Sequence, residues 1–243
     1  MKQNLYDNPE FFEYYSKMRD SGITYNEFVE QPALRSLLPS LEGKIVLDLG
    51  CGSGQLAVYL LEQGAAYITG TDISASMLGR APQHDQITYM QAPMEELDFP
   101  GNSFDVIVSS LALHYIEQYE PLMHKIAYWL KDGGKLVFST EHPIVTAKLD
   151  KDGWIENEQG ERLYYAVDHY SQQGIRYSHW VVDGVITYHR TMATLINGVI
   201  QSGLRLDAVL EPEPIPEGLE NMPQLIHELR KPSFVVIAAS KES

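Results

Sequence analysis

The sequence predicts an α/β protein built on a doubly wound, mostly parallel sheet, and three observations support this fold class. Short apolar runs rich in β-branched residues alternate with segments of helical apolar periodicity. The first run, Ile45 to Leu49, leads through a glycine-rich turn into a helix, which is how a nucleotide-binding βαβ unit begins. Two strand-like runs follow a long insertion, so seven strands are expected, over residues 45–49, 66–72, 87–90, 105–110, 135–140, 204–210 and 234–239.

The 243 residues are interpreted as one domain with four parts. The parts are an N-terminal segment (1–40, with helices expected over 9–18 and 25–38), the core (41–140), an insertion (141–190), and the last helix with two closing strands (191–243). The insertion is rich in tyrosine, tryptophan and histidine, and its Asp183-Gly184 pair is typical of a hairpin turn. We therefore expect a small β-rich cap over the ligand crevice.

The composition argues against several classes of function. A net charge of −15 is unsuited to a nucleic-acid surface, which normally needs a basic face. No apolar run approaches the roughly 18 residues of a membrane span, and the N-terminal stretch lacks the apolar centre of a signal peptide. The single cysteine, Cys51, cannot form an internal disulfide. We expect a cytoplasmic protein without a membrane or nucleic-acid partner, and the oligomeric state stays open.

The spacing of the glycines after the first strand indicates which ligand is bound. The dinucleotide fingerprint is G-x-G-x-x-G. This chain has Asp48-x-Gly50-x-Gly52-x-Gly54, so its last glycine comes one position early and an acid lies on the preceding strand. A nicotinamide-dependent oxidoreductase is therefore disfavoured. The glycines are required because the turn is tight and the backbone must approach a ligand closely.

A second acid follows at the end of the second predicted strand. Asp72 lies 22 residues beyond Gly50 (72 − 50), where a carboxylate is placed to accept hydrogen bonds from ribose hydroxyls. Aspartate is also a common N-cap, so a purely structural role in starting the next helix is the alternative.

The segment VLDLGCGSG resembles motif I of the class I S-adenosylmethionine (SAM)-dependent methyltransferases. The resemblance implies a Rossmann-like seven-stranded sheet with helices on both faces and SAM as the cofactor. N-terminal helices often close over the cofactor in this family, which makes Tyr15 and Arg19 candidates to contact its methionine end. The cofactor-binding residues that the resemblance implies are Tyr15, Arg19, Asp48, Gly50, Gly52, Gly54, Asp72, Ile73, Met77, Met94, Glu95 and Ser110.

One position departs from the family pattern. Where the family usually has an aspartate that holds the adenine amino group, this chain has Pro93. The backbone N–H of Met94 can still meet the adenine ring, and the acceptor for the amino group must come from Glu95 or a carbonyl.

The acceptor of the methyl group is expected to be a small molecule. Amino-methyltransferases of nucleic acids commonly carry an Asn/Asp-Pro-Pro-Tyr sequence after the fourth strand, and this chain has Leu111 to Tyr115 there instead. If the acceptor must lose a proton, a histidine near the crevice is the natural base. His114 and His189 are the catalytic candidates, and His142 is a weaker one. No metal is expected, because the histidines show no ligand spacing.

Two alternatives to a methyltransferase stay open. An aminopropyltransferase that uses decarboxylated SAM would share the fold and would need a cluster of acids for a polyamine. A SAM-binding relative without catalytic activity is the other, although the intact glycines and Asp72 argue against it. We also expect the insertion to determine acceptor specificity without contributing to cofactor binding.

Overall fold

The structure is a computed structural model that describes residues 3–149 and 153–242. Its strands are β1 (Ile45–Leu49), β2 (Tyr67–Asp72), β3 (Ile87–Gln91), β4 (Phe104–Ser109), β5 (Leu130–Glu141), β6 (Trp154–Glu156), β7 (Arg162–Tyr165), β8 (Gly174–Trp180), β9 (Val182–His189), β10 (Leu204–Leu210) and β11 (Phe234–Lys241). Its α-helices are α1 (Pro9–Asp20), α2 (Gln31–Ser36), α3 (Gln55–Glu62), α4 (Ala75–Leu78), α5 (Tyr119–Trp129), α6 (Pro143–Thr146), α7 (Met192–Gln201) and α8 (Pro216–Asn221).

The main sheet confirms the predicted fold class. Within the described residues seven strands pair in the order β10-β11-β5-β4-β1-β2-β3, and β11 is antiparallel to both of its neighbours while the others run parallel. The chain builds outward from β1 to β3 and then returns to place β4 on the other side of β1. Ligands of open α/β sheets bind at such a switch point, outside the carboxyl ends of the strands.

Successive side chains along each strand point to opposite faces of the sheet, and this produces two hydrophobic layers. Val46 points to the layer that α2 and α3 cover, whereas its neighbour Leu47 points to the layer beneath α5 and α7. Both faces of the sheet are therefore buried, which is why the parallel strands read as nearly continuous apolar runs. None of the helices in residues 3–149 and 153–242 is long and apolar enough to cross a membrane.

The N-terminal segment differs from the single helix expected over 25–38. A π-helical turn at Asn26–Glu30 precedes α2. Pro32 lacks the N–H that a regular α-helix would direct to the carbonyl of Phe28. That carbonyl instead accepts a hydrogen bond from the N–H of Ile215, at 2.9 Å. Helix α8 begins directly after Ile215, which is its N-cap residue.

The insertion forms two antiparallel hairpins, β6–β7 and β8–β9, as expected of a β-rich cap. The turn position predicted at Asp183-Gly184 is wrong. Trp180 pairs with Val182, so the second hairpin turns at Val181, and Asp183 and Gly184 lie inside β9 near an irregularity in the pairing. Gly184 has a φ of 75°, so its left-handed backbone accommodates that irregularity rather than the turn.

Candidate functional site

A cavity of about 1090 Å³ lies at the carboxyl ends of the parallel strands. The loops that follow β1, β2, β3 and β4 form its floor, together with the last residue of β5. The N-terminal segment and the β8–β9 hairpin form its roof. The cavity thus occupies the crevice that the strand order predicts.

The loop after β1 can approach a ligand because its glycines carry no side chain. Gly50 has a φ of 75°, and a Cβ there would lie 2.5 Å from the Cβ of Ala112 and 2.7 Å from the Cε of Met94. Gly54 has the same φ, and a Cβ on it would overlap the hydroxyl of Tyr89. The crowding and the left-handed backbone together explain why glycine is needed at these positions.

Asp72 organises this loop and also lines the cavity. Its carboxylate accepts hydrogen bonds from the N–H groups of Gly52 and Ser74, each at 2.8 Å. Burial raises the pKa of Asp72, and these two hydrogen bonds oppose the shift. Ser74, not Asp72, is the N-cap of α4, since its hydroxyl accepts from the N–H of Met77. Each carboxylate oxygen retains a lone pair for a ligand hydroxyl.

Two buried side chains in the cavity wall, one acidic and one basic, have unsatisfied hydrogen-bonding capacity. Both carboxylate oxygens of Asp48 are buried and have no hydrogen-bond partner in the part of the chain that the structure describes. Burial, and after it the charge of Asp72, raises the pKa of Asp48 to about 8. The Nη1 of Arg19 is likewise buried without a described partner, while its Nε and Nη2 donate to Gln55. A carboxylate and a guanidinium left in this state fit the ammonium and carboxylate of an amino-acid group.

Nearly all of the residues predicted to bind the cofactor line this one cavity. Gly54 is the exception, since it is the N-cap of α3 and lies just behind the wall. The predicted residues that line the cavity are Tyr15, Arg19, Asp48, Gly50, Gly52, Asp72, Ile73, Met77, Met94, Glu95 and Ser110.

A buried carboxylate that the sequence did not single out holds the N-terminal segment against the sheet. Glu30 is fully buried, and its Oε1 accepts hydrogen bonds from Ser110 at 3.0 Å and from Ser139 at 2.5 Å. Its Oε2 accepts from the side chain of Gln31 at 2.8 Å. Burial raises the pKa of Glu30, and the hydrogen bonds oppose that shift. The network ties the π-helical turn to the ends of β4 and β5.

The first residues of the chain close the roof. The carboxylate of Asp7 accepts from the hydroxyl of Ser74 at 2.6 Å, from the N–H of Ser76 at 2.9 Å, and from Asn4 at 2.6 Å. Gln3 donates to the carbonyl of Gly184 in β9 and accepts from the backbone there. The N-terminal segment therefore bridges the cofactor edge of the sheet and the cap.

Aromatic packing joins the same two parts of the roof. Phe11 and Tyr15 of α1 both contact Trp180 of β8 edge to face, with ring centroids 5.0 Å and 6.0 Å apart. Tyr15 and Trp180 both line the cavity. The cap thus packs against Tyr15, a residue predicted to bind the cofactor.

His114 stands in the cavity wall just after β4. It is 5 % exposed, and its Nδ1 lies 3.4 Å from the hydroxyl of Thr140. Burial lowers the pKa of His114; the Glu141 carboxylate opposes this shift and Arg190 adds to it. The imidazole is therefore neutral near pH 7 and able to accept a proton.

The other two histidines proposed from the sequence lie outside the cavity. His189 is fully buried, with Nδ1 2.7 Å from the hydroxyl of Thr146 and Nε2 2.8 Å from the carbonyl of Tyr170. Because both of its ring nitrogens are occupied, His189 has a structural role. The structure therefore does not support the catalytic role that the sequence predicted for His189 together with His114. His142 accepts from the N–H of Ile144 and lies 2.9 Å from Glu211. Both histidines come from the insertion. His189 joins two parts of it, and His142 links its first residues to Glu211, which follows β10.

The sheet order, the glycine loop and Asp72 together define the fold and cofactor site of a class I methyltransferase. Comparison with known proteins agrees. Residues 47–138 match the family described as "Methyltransferase domain". An uncharacterised protein of Haemophilus influenzae is 38% identical over 253 residues, covering 99% of this chain and 98% of that protein.

A solved structure extends the agreement to nearly the whole fold. The S-adenosylmethionine-dependent methyltransferase of Mesorhizobium loti is 39% identical and superposes with a TM-score of 0.82, covering 87% of this chain and 97% of that one. An uncharacterised methyltransferase of Synechocystis is 36% identical over 132 residues, 53% of this chain and 61% of that protein. The chain belongs to the SAM-dependent methyltransferase family, and S-adenosyl-L-methionine is its cofactor.

Proposed function

We propose that this protein transfers the methyl group of SAM to a small-molecule acceptor that binds beside His114. One observation carries the proposal: the glycine loop, Asp72 and His114 all line the same roofed cavity. A roof held by hydrogen bonds and aromatic packing favours an acceptor small enough to be enclosed. The bound cofactor supplies a methyl group that its sulfonium already activates.

The chain's own residues orient the two reactants. Asp48 and Arg19 would hold the amino-acid end of the cofactor, because each has buried, unused hydrogen-bonding capacity. Asp72 would accept from the ribose hydroxyls. Met77 and Met94, both buried in the cavity wall, would cover the adenine. Catalysis by orientation then requires only that the acceptor lie in line with the methyl group.

His114 is proposed as the general base when the acceptor must lose a proton. The imidazole is neutral near pH 7 because its surroundings disfavour the charged form. Its ring packs against Tyr115 with centroids 4.2 Å apart, which restricts its orientation. A fixed, neutral imidazole in the wall meets both requirements for the role, position and protonation state.

The aminopropyltransferase alternative is less well supported. Decarboxylated SAM has no carboxylate, so it would leave the free Nη1 of Arg19 without a partner. Leaving a buried guanidinium N–H without a hydrogen-bond partner costs free energy, and the carboxylate of SAM would supply that partner.

The proposal is tested by following an isotope-labelled methyl group from SAM into a cell extract divided by ultrafiltration. We expect label in low-mass compounds of the filtrate and none in the retained protein or nucleic acid. A His114→Ala variant that still binds S-adenosylhomocysteine (SAH) in calorimetry should lose this transfer. Label in the retained macromolecules instead, with the filtrate unlabelled, contradicts a small-molecule acceptor.

A further inference from the structure

The charges in the cavity wall are divided unevenly between its two ends. In the described part of the chain, the cationic lining side chains are Arg19 and Arg35. Both lie beside α3: Arg19 donates to Gln55, and the guanidinium of Arg35 lies 4.1 Å from the ring centre of Tyr59. Helix α3 follows the glycine loop, so these cations serve the cofactor end. Arg190 also acts electrostatically on His114, but it does not line the cavity, and its guanidinium donates to the carbonyls of Ile116 and Glu117. The described lining beside His114 therefore offers no cationic side chain to an anionic acceptor.

The wall around His114 carries a negative charge instead. Glu141, the last residue of β5, lines the cavity and interacts electrostatically with His114 and Tyr115. No hydrogen bond or ion pair within residues 3–149 and 153–242 occupies its carboxylate. Glu117 lies at the exposed rim of the same end. An unpaired carboxylate that is half-buried beside an imidazole favours a cationic group next to it.

Aromatic rings complete this end of the cavity. Tyr6, Tyr15 and Tyr115 all line it. The ring of Tyr6 is nearly perpendicular to those of Tyr15 and Tyr115, with interplanar angles of 83° and 89° and centroids 5.0 Å and 6.4 Å away. These rings pack edge to face on one another and also line the cavity. Aromatic rings attract ammonium groups through the negative charge of their faces, and a carboxylate nearby adds to that attraction.

From these observations we infer that the acceptor is an amine, held as an ammonium ion by Glu141 and the tyrosine rings and methylated at that nitrogen. This inference rests on the proposed methyl transfer and names its substrate class. The buried imidazole of His114, 5 % exposed and in the same wall, is placed to receive the proton that the ammonium must lose. Glu141 would select the substrate, and His114 would take its proton.

The reaction balances without a further reactant. The ammonium ion passes one proton to His114 and becomes a neutral amine. The nitrogen lone pair then forms the N–C bond as the S–C bond of the cofactor breaks, and the electrons of that bond remain on sulfur. The products are SAH and a methylated ammonium ion, and the proton on His114 is released to water.

The first test compares probes of one shape and different charge. Phenethylamine, phenethyl alcohol and hydrocinnamate, and hexylamine, hexanol and hexanoate, are titrated into the SAH-loaded protein by calorimetry. We expect each amine to bind about tenfold more tightly than its alcohol, and the carboxylates to bind most weakly. Equal binding by the three charge states, whether all bind or none does, overturns the inference.

Variants then locate the selective group. Glu141→Gln keeps the shape of the side chain and removes its charge, so the preference for the amine should fall to about twofold or less. Glu62→Gln, on the exposed side of α3, is the matched control and should keep the full preference. An undiminished preference in Glu141→Gln, with SAH still bound, shows that Glu141 does not recognise the ammonium.

The labelled product of the extract assay provides the second test. The NMR chemical shift of the transferred methyl should be that of an N-methyl group, and an O- or S-methyl product overturns the inference. SAH titration, read together with the labelled product, distinguishes failure of the proposed methyl transfer from failure of the amine substrate class. A protein that binds SAH and methylates a small molecule at oxygen retains the proposed function and loses only the substrate class. A protein that transfers no label to small molecules loses the proposed function itself.

Discussion

The carboxylate of Glu30 accepts a 2.5 Å hydrogen bond from the hydroxyl of Ser139, 109 residues further along the chain. This contact joins the π-helical turn of the N-terminal segment to the end of β5. Ser139 also accepts from the N–H of Leu111, in the segment that leads to His114. One buried carboxylate therefore relates the roof of the cavity to the segment that carries the proposed base.

Replacing Glu30 with alanine should destabilise the protein by about 2–4 kcal/mol, because Ser110, Ser139 and Gln31 would each lose a buried partner. Urea denaturation followed by circular dichroism measures the free energy of unfolding. The exposed Glu62→Ala substitution should change it by less than about 0.5 kcal/mol. If the two variants are equally stable, the network does not hold the N-terminal segment.

Asp48 should make the stability of the ligand-free protein depend on pH. Its pKa in the fold is about 8, against about 4 in the unfolded chain. Between these values the folded protein binds the proton and the unfolded chain does not, so the contribution is present at low pH and is lost as pH rises toward 8. Asp48→Asn should therefore gain stability relative to the wild type between pH 5 and pH 8, up to about 1.4 kcal/mol per pH unit.

Melting temperatures across this range, measured without ligand, test the expectation for Asp48. Asp85→Asn, at an exposed position, is the control and should follow the wild-type curve. Parallel curves for Asp48→Asn and the wild type would show that Asp48 keeps its charge in the ligand-free protein. The same variant should bind SAM more weakly, because it has lost the carboxylate proposed to meet the cofactor's ammonium group.

Asp7 should control how firmly the roof closes over the cofactor. Asp7→Ala removes the acceptor for Ser74, Ser76 and Asn4, and we expect SAH to bind about tenfold more weakly. Limited proteolysis should also cut the N-terminal segment faster. Asp20→Ala breaks only an exposed pair with Arg80 and should leave both measurements near the wild-type values. Unchanged SAH affinity in Asp7→Ala would mean that the roof closes without this contact.

His114 should determine the acid side of the pH–rate profile. Because its pKa is lowered, the rate should fall to half its maximum at a pH below 6.5, where the imidazole becomes protonated and can no longer accept a proton. His114→Ala should lower turnover by about a hundredfold or more with little change in SAH affinity. His114→Gln preserves a hydrogen bond but not base function. Wild-type turnover in that variant would favour catalysis by orientation alone.

Local patterns were sufficient for the sheet and the cofactor loop. The apolar, β-branched run Ile45–Leu49 specifies β1 to the residue, and the glycine spacing specifies a loop whose φ angles only glycine adopts readily. The role of Asp72 could be predicted because its separation from Gly50 in the sequence is set by one strand–helix–strand unit. The turn predicted at Asp183-Gly184 is wrong because it relied on the preference of two residues alone. Pairing along the whole hairpin overrides that preference and places the turn at Val181.

The sequence by itself thus determined the fold class, the cofactor family and most of the residues that face the cofactor. Only the tertiary structure decided which histidine shares the cavity, since His114 and His189 look alike in a sequence and differ in whether their nitrogens are occupied. It also decided that Glu30 meets Ser139, that Asp7 closes the roof on Ser74, and that Glu141 stands unpaired near His114. These contacts join residues far apart in the chain, so they follow from how the elements pack rather than from any local pattern.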